Sequence, residues 1–267
     1  LKKYLIILIA ILNLNLVYAN VSSDILSVES KYLSEKRKVV VILPDGYLEH
    51  KNKRYPVMYI LDGETELELA ASLLHRMHLA NEAPQHILVG IYNTNRTRDL
   101  APTVNYDPRG PVGQGGGADK FLDFIEKELI PQINQQYRTT DDKTIIGSSL
   151  GGLLVLHSLH SRPHLFQAHL TFSPAVWWGA RETLKQFKVF VKNSPNLENF
   201  LYISIGNEGG EMREVYDSLE PEIQKYLPKN LGFKSDKFQD IPHGLVPAAG
   251  LLNGFRFLFE HQKSKRI

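Results

Sequence analysis

The chain has 267 residues, 43% hydrophobic and 22% charged, a length and balance that fit one well-cored α/β unit. Its 31 basic and 29 acidic residues nearly cancel, to a net charge of +2 with no long run of one sign, so nothing points to a nucleic-acid partner. Cysteine is absent, which excludes disulfides, thiol nucleophiles and cysteine-based zinc or haem sites.

Taken in chain order, Lys2 and Lys3 precede an apolar run from Tyr4 to Leu12 that Asn13 and Asn15 interrupt and Val17-Tyr18-Ala19 closes. A positive start, a short apolar stretch and small residues before a cut after Ala19 predict an export signal over 1–19. The folded unit then covers 20–267. The run is shorter than the ~20 apolar residues of a membrane span. No stable membrane insertion is therefore expected after cleavage, and the expected location is periplasmic or secreted.

Apolar runs follow at 38–43, 57–61, 87–91, 144–146, 170–172 and 201–205, with a last strand near 233–238. Runs apolar on both faces predict buried parallel strands. Between them, helical periodicity marks 67–79, 118–137, 150–159, 211–226 and 246–259. The stretch 150–159 is apolar almost all round, as a helix lying on a buried sheet should be. This alternation predicts an α/β fold with a mostly parallel central sheet and helices on both faces. A long loop is expected over 93–117, loosest at Gly113 to Gly117.

The sharpest motif is Gly147-Ser148-Ser149-Leu150-Gly151, placed between the strand ending at Ile146 and the helix starting near Leu150. In this strand–turn–helix context G-x-S-x-G forms a nucleophile elbow, the mark of the α/β-hydrolase fold. Ser149 is the candidate nucleophile; Ser148 sits one place early in the frame. A serine hydroxyl needs a base, and the base needs an orienting acid, in the chain order Ser, Asp/Glu, His. His243, between the last strand and the last helix, is the candidate base. Glu208, on the loop after 201–205, is the candidate acid, with Glu211 and Asp217 as alternatives. An oxyanion hole needs two backbone donors. The Leu150 N–H is one; the Glu64 N–H, after Asp62-Gly63, is the other.

On YILDGE (59–64), NRTRDLAPT (95–103), IIGSSLGG (145–152), SPAVWW (173–178) and PHG (242–244), the chain resembles the esterase family of α/β-hydrolases that includes feruloyl esterases, S-formylglutathione hydrolase, mycolyltransferases and siderophore esterases. The resemblance covers roughly 38–260, and SPAVWW is similar to the Ser-Pro-x-x-Trp-Trp stretch of the siderophore esterases. It implies a serine carboxylic ester hydrolase acting on a small-molecule ester, with siderophore trilactones as one substrate class. It also implies that a Ser–His pair can work without a positioned acid. Arg96 and Arg98 match a basic stretch that could meet an anionic ligand, Arg98 being the candidate substrate contact. Their alternative is ion pairing to Asp99 or another acid. Trp177 and Trp178 are candidates to stack on an aromatic acyl or catechol group, the alternative being core filling.

No cofactor and no metal are expected. His157 and His160 sit three apart on a helix, but no carboxylate accompanies them at helical spacing. Two further readings stay open: an acyltransferase or a feruloyl or acetyl esterase on the same scaffold, and a non-catalytic binding protein that kept the fold.

Overall fold

The computed structural model describes residues 23–108 and 110–265; the predicted export signal lies outside them. Eight strands form one sheet: β1 (Ser23–Ser30), β2 (Glu35–Ile42), β3 (Tyr55–Ile60), β4 (Ile87–Ile91), β5 (Thr139–Ser148), β6 (Ala168–Phe172), β7 (Phe200–Ile205) and β8 (Gly232–Lys237). Their spatial order is β1-β2-β4-β3-β5-β6-β7-β8. Every pairing from β4 to β8 is parallel. β4, β6 and β7 are buried at every residue, which explains their unbroken apolar runs.

One expectation is corrected. The 38–43 run is not parallel: β2 runs antiparallel to both β1 and β4. Only a short turn separates β1 from β2, and a short turn can join only antiparallel neighbours. β1 itself was not anticipated. It is an edge strand whose Ile25 is exposed, so no apolar run announces it.

Eight α-helices complete the described residues: α1 (Gly63–Leu79), α2 (Arg96–Leu100), α3 (Ala118–Phe124), α4 (Ile130–Gln136), α5 (Leu150–Ser161), α6 (Trp178–Asn193), α7 (Gly210–Lys225) and α8 (Val246–Ser264). The 118–137 pattern is α3 and α4 joined by a π-helical turn at Ile125–Leu129. Two helices escaped the sequence reading. α2 is too short to show periodicity. α6 opens with Gly179, Ala180 and Arg181 in left-handed conformation before its amphipathic stretch begins.

The sheet is covered on both faces. On one, α1 buries Leu67, Ala70, Leu74 and Met77, and α8 buries Leu251, Phe255, Leu258 and Phe259. Each fully buried Leu, Met or Phe side chain here stabilises by about 1.5–3 kcal/mol before entropy is counted. On the other face, α5 lies at the centre of the larger core with α3, α4, α6 and α7 around it. Among the described residues no helix is long and apolar enough to cross a membrane.

Candidate active site

The candidate residues gather at the C-terminal ends of the parallel strands, where ligands bind in open α/β sheets generally. β5 delivers Ser148, and Ser149 follows at φ 55° and ψ −115° before α5 begins. That conformation is strained for a residue with a Cβ and is held by its surroundings. Ser149 N–H donates to the Phe172 carbonyl at 2.9 Å, and its carbonyl accepts from Leu153 and Ala175, both at 3.0 Å. A Cβ on Gly147 would lie 2.5 Å from the Gly151 backbone, so only glycine permits this strand-to-helix approach. Leu150 opens α5, and the N–H groups of a helix's first turn have no intrahelical acceptor.

β7 and β8 supply the second part. His243 lies in a 3-10 turn after β8, and its Nδ1 stands 2.9 Å from Glu208 Oε1. The His243 ring is 42% exposed while Glu208 is 8% exposed, so a buried carboxylate faces an accessible imidazole. A carboxylate at Nδ1 selects the tautomer with Nδ1–H and leaves Nε2 as the basic nitrogen. Asn207 N–H donates to the Ile241 carbonyl at 2.7 Å, which ties the Glu208 loop to the His243 loop. Neither Glu211 nor Asp217 takes this place: Glu211 accepts from Arg181, and Asp217 from Arg213 and Lys237.

Ser173, at the end of β6, is a site residue the sequence reading did not assign. It is fully buried at φ 44°, and its Oγ donates to the same Glu208 Oε1 that meets His243. Its only sequence signal was the Ser-Pro pair at a strand end.

β3 supplies the third part. Asp62 has φ 52° and ψ 44°, and its carbonyl accepts the N–H groups of Thr65 and Glu66 as α1 starts. Gly63 is packed on Gly90, where a Cβ would lie 2.7 Å from backbone. Glu64 is in the first turn of α1, so its N–H lacks an intrahelical acceptor, while its carboxylate accepts from Asn93 Nδ2 at 2.6 Å.

The remaining candidates divide. Every guanidinium nitrogen of Arg98 is engaged within the protein: Nε with Asp99 at 2.6 Å, Nη1 and Nη2 with Glu35 at 3.3 and 2.7 Å. This is the ion-pair alternative, and those carboxylates raise the Arg98 pKa further above its ordinary value. Trp178 is 2% exposed and donates its indole N–H to the Thr103 carbonyl at 2.8 Å, so it fills the core and anchors the 101–117 loop. Trp177 is half-buried, with its ring edge against Gly110. Asp119 from α3 meets His157 Nε2 at 2.8 Å, and His157 Nδ1 stands 3.2 Å from His160. Burial of these imidazoles lowers both pKa values, that of His160 to about 4. Among the described residues no group of three or more His, Cys, Asp or Glu is arranged to hold a metal ion. A cleft of about 460 Å³ between β2, β4 and α1 contains none of the residues from the loops of Ser149, Glu208 or His243.

Comparison with known proteins agrees with this architecture. Siderophore triacetylfusarinine C esterase of Aspergillus fumigatus is 34% identical over 149 residues, 51% of this chain and 50% of that protein. Ferri-bacillibactin esterase BesA of Bacillus subtilis is 30% identical over 203 residues, 68% of each chain. The chain thus spans half the length of the fungal relative and about two thirds of the bacterial one. The crystal structure of an IroE-like serine hydrolase from Shewanella oneidensis superposes with a TM-score of 0.85 at 33% identity, covering 90% of this chain and 80% of that one. Residues 30–239 match the family described as Putative esterase, and the chain belongs to that family, on the α/β-hydrolase fold.

Proposed function

We propose that the protein hydrolyses carboxylic esters through an acyl-enzyme on Ser149. The observation that carries the reading is the His243–Glu208 pair, 2.9 Å apart, on loops neighbouring a serine held in a strained strand-to-helix turn. His243 Nε2 accepts the Ser149 Oγ proton as Oγ attacks the ester carbonyl carbon. The carbonyl electron pair moves to oxygen, where the Leu150 and Glu64 N–H groups receive it. Collapse expels the alkoxide, which takes the proton from His243. Water then enters, gives its proton to His243 and releases the acid by the same steps in reverse. Glu208 holds the imidazole in its tautomer and offsets the charge that forms there.

The substrate class we favour is a siderophore ester, because two relatives carry that activity in their names. Trp177, half-buried beside the 101–117 loop, is the aromatic surface we assign to such a ligand. The 1–19 pattern supports action outside the cytoplasm; the mature N-terminus expected by Edman sequencing is Asn20.

Ser149→Ala should remove at least 10³-fold of p-nitrophenyl acetate hydrolysis in a folded protein, as loss of a nucleophile does. Undiminished turnover in that variant would overturn the mechanism. A panel of catecholate trilactones, feruloyl esters and short acyl esters tests the substrate, and turnover of short acyl esters alone removes the siderophore reading.

A further inference from the structure

Arg96 has a different environment from Arg98. Its Nε and Nη2 form a two-pronged pair with Asp62 Oδ1 and Oδ2 at 2.7 and 2.8 Å, and Nη2 also reaches the Ser148 carbonyl at 3.3 Å. These contacts join two separate arms. Asp62 begins the arm that carries Gly63 and Glu64; Ser148 begins the arm that carries Ser149 and Leu150. The arms also touch directly, since a Cβ on Gly151 would lie 3.2 Å from Asp62 Oδ2.

Asp62 is in the left-handed region without being glycine, a conformation that costs roughly 1–2 kcal/mol and persists only where neighbours enforce it. Its carboxylate makes no helix cap. It accepts instead from Arg96 and, at 2.7 Å, from Asn93 Nδ2. A carboxylate so placed fixes the direction of the N–H groups that follow it. An arginine fork fixes the carboxylate in both distance and plane, which a lysine cannot do.

Resting on the ester-hydrolase reading above, we propose that Arg96 is a positioning residue that sets the spacing of the oxyanion hole, by clamping Asp62 of one arm to the Ser148 carbonyl of the other. It acts through Asp62 and not by meeting substrate charge. Displacement of about 1 Å at a catalytic centre costs on the order of 10²-fold in rate, and loss of one oxyanion donor costs roughly 10²–10³-fold.

The test is a double-mutant cycle. Arg96→Gln, Asp62→Asn, the double variant and Arg96→Lys are compared with wild type on neutral p-nitrophenyl acetate and on the anionic mono-p-nitrophenyl ester of succinate. Circular dichroism selects the temperature at which each is folded. The expected result is a kcat loss of about 10²-fold for Arg96→Gln on both esters, with KM within about twofold. Asp62→Asn should lose a similar factor, and the double variant no more than the worse single one. Arg96→Lys should recover part of the loss. Phosphonylation of Ser149 by a fluorophosphonate should slow in parallel. A loss confined to the anionic ester or carried in KM, additive losses in the cycle, or an unchanged kcat would each overturn the proposal. If Arg96→Gln fails to fold, Arg96→Lys and Asp62→Asn supply the same split. Failure of the ester-hydrolase reading is read separately, as Ser149→Ala retaining wild-type turnover.

Discussion

Ser149 holds a backbone conformation, φ 55° and ψ −115°, that glycine would adopt freely. Ser149→Gly should therefore remove strain of about 1–3 kcal/mol while adding roughly 0.5–1 kcal/mol of unfolded-state entropy. The net expectation is an inactive protein about 1 kcal/mol more stable to urea than Ser149→Ala, which keeps the Cβ. An equal midpoint for the two variants would show that the turn stores no strain. Ser173 gives a second expectation at this scale. Ser173→Ala leaves Glu208 without one of its two partners, and a lost hydrogen bond to a charged acceptor is worth about 1.5–3 kcal/mol. The kcat should fall about tenfold with KM unchanged, measured on p-nitrophenyl acetate. The strand-to-helix turn at 147–151 was legible because glycines and a switch of period leave a local signature. Ser173 was not, because its role depends on a carboxylate from another strand.

α2 shows how a five-residue helix is kept in place. Its Asp99, 1% exposed, accepts from Arg98 and from Arg37, whose guanidinium is fully buried; Glu35 stands between the same two arginines. Two arginines and two carboxylates thus lock α2 onto β2. Removing one partner of a buried pair costs roughly 3–5 kcal/mol, because a buried charge is left uncompensated. Asp99→Asn should lower the unfolding free energy by that order in urea titrations. α2 carries Arg96, so kcat should fall as well. Trp178→Phe, which keeps the ring but leaves the Thr103 carbonyl without its donor, should cost about 1–3 kcal/mol and leave kcat within a few-fold. The long helices were legible from their periodicity, and 87–91 was legible as a strand to the residue. α2 and β1 were not, because side chains distant in sequence, and not their own pattern, determine them.

Three histidines outside the site bear on the molecule as a whole. Burial pushes His86 and His160 down to about 4, and His169 down to about 3. His86 packs on Phe259 of α8, His160 lies in α5, and His169 is fully buried in β6, so both sheet faces and the sheet are involved. An unfolded chain protonates these rings near pH 6.5. Their folded pKa values are depressed, so stability is complete above pH ~6.5 and falls as pH drops toward 4. Urea midpoints at pH 7.5, 6.5 and 5.5 should decline, in a window where most carboxylates are still ionised. A flat profile would show that the three rings take up protons in the folded protein as readily as in the unfolded chain. The parallel core was legible from its apolar runs. The antiparallel flank was not, since the β2–β4 pairing joins strands separated by β3 and α1, and no local pattern sets its direction.

The order of elements along the sheet also has a consequence in time. Ser149 follows β5, Glu208 follows β7, and His243 with α8 comes after every strand. During synthesis the chain therefore presents Ser149 long before His243, its proposed base, exists. Residues 243–264 complete the His243–Glu208 pair and, through α8, the cover of β6 and β7 in one step. On the ester-hydrolase reading proposed above, a chain still short of residues 243–264 holds its serine without its base, so turnover would begin only when folding ends.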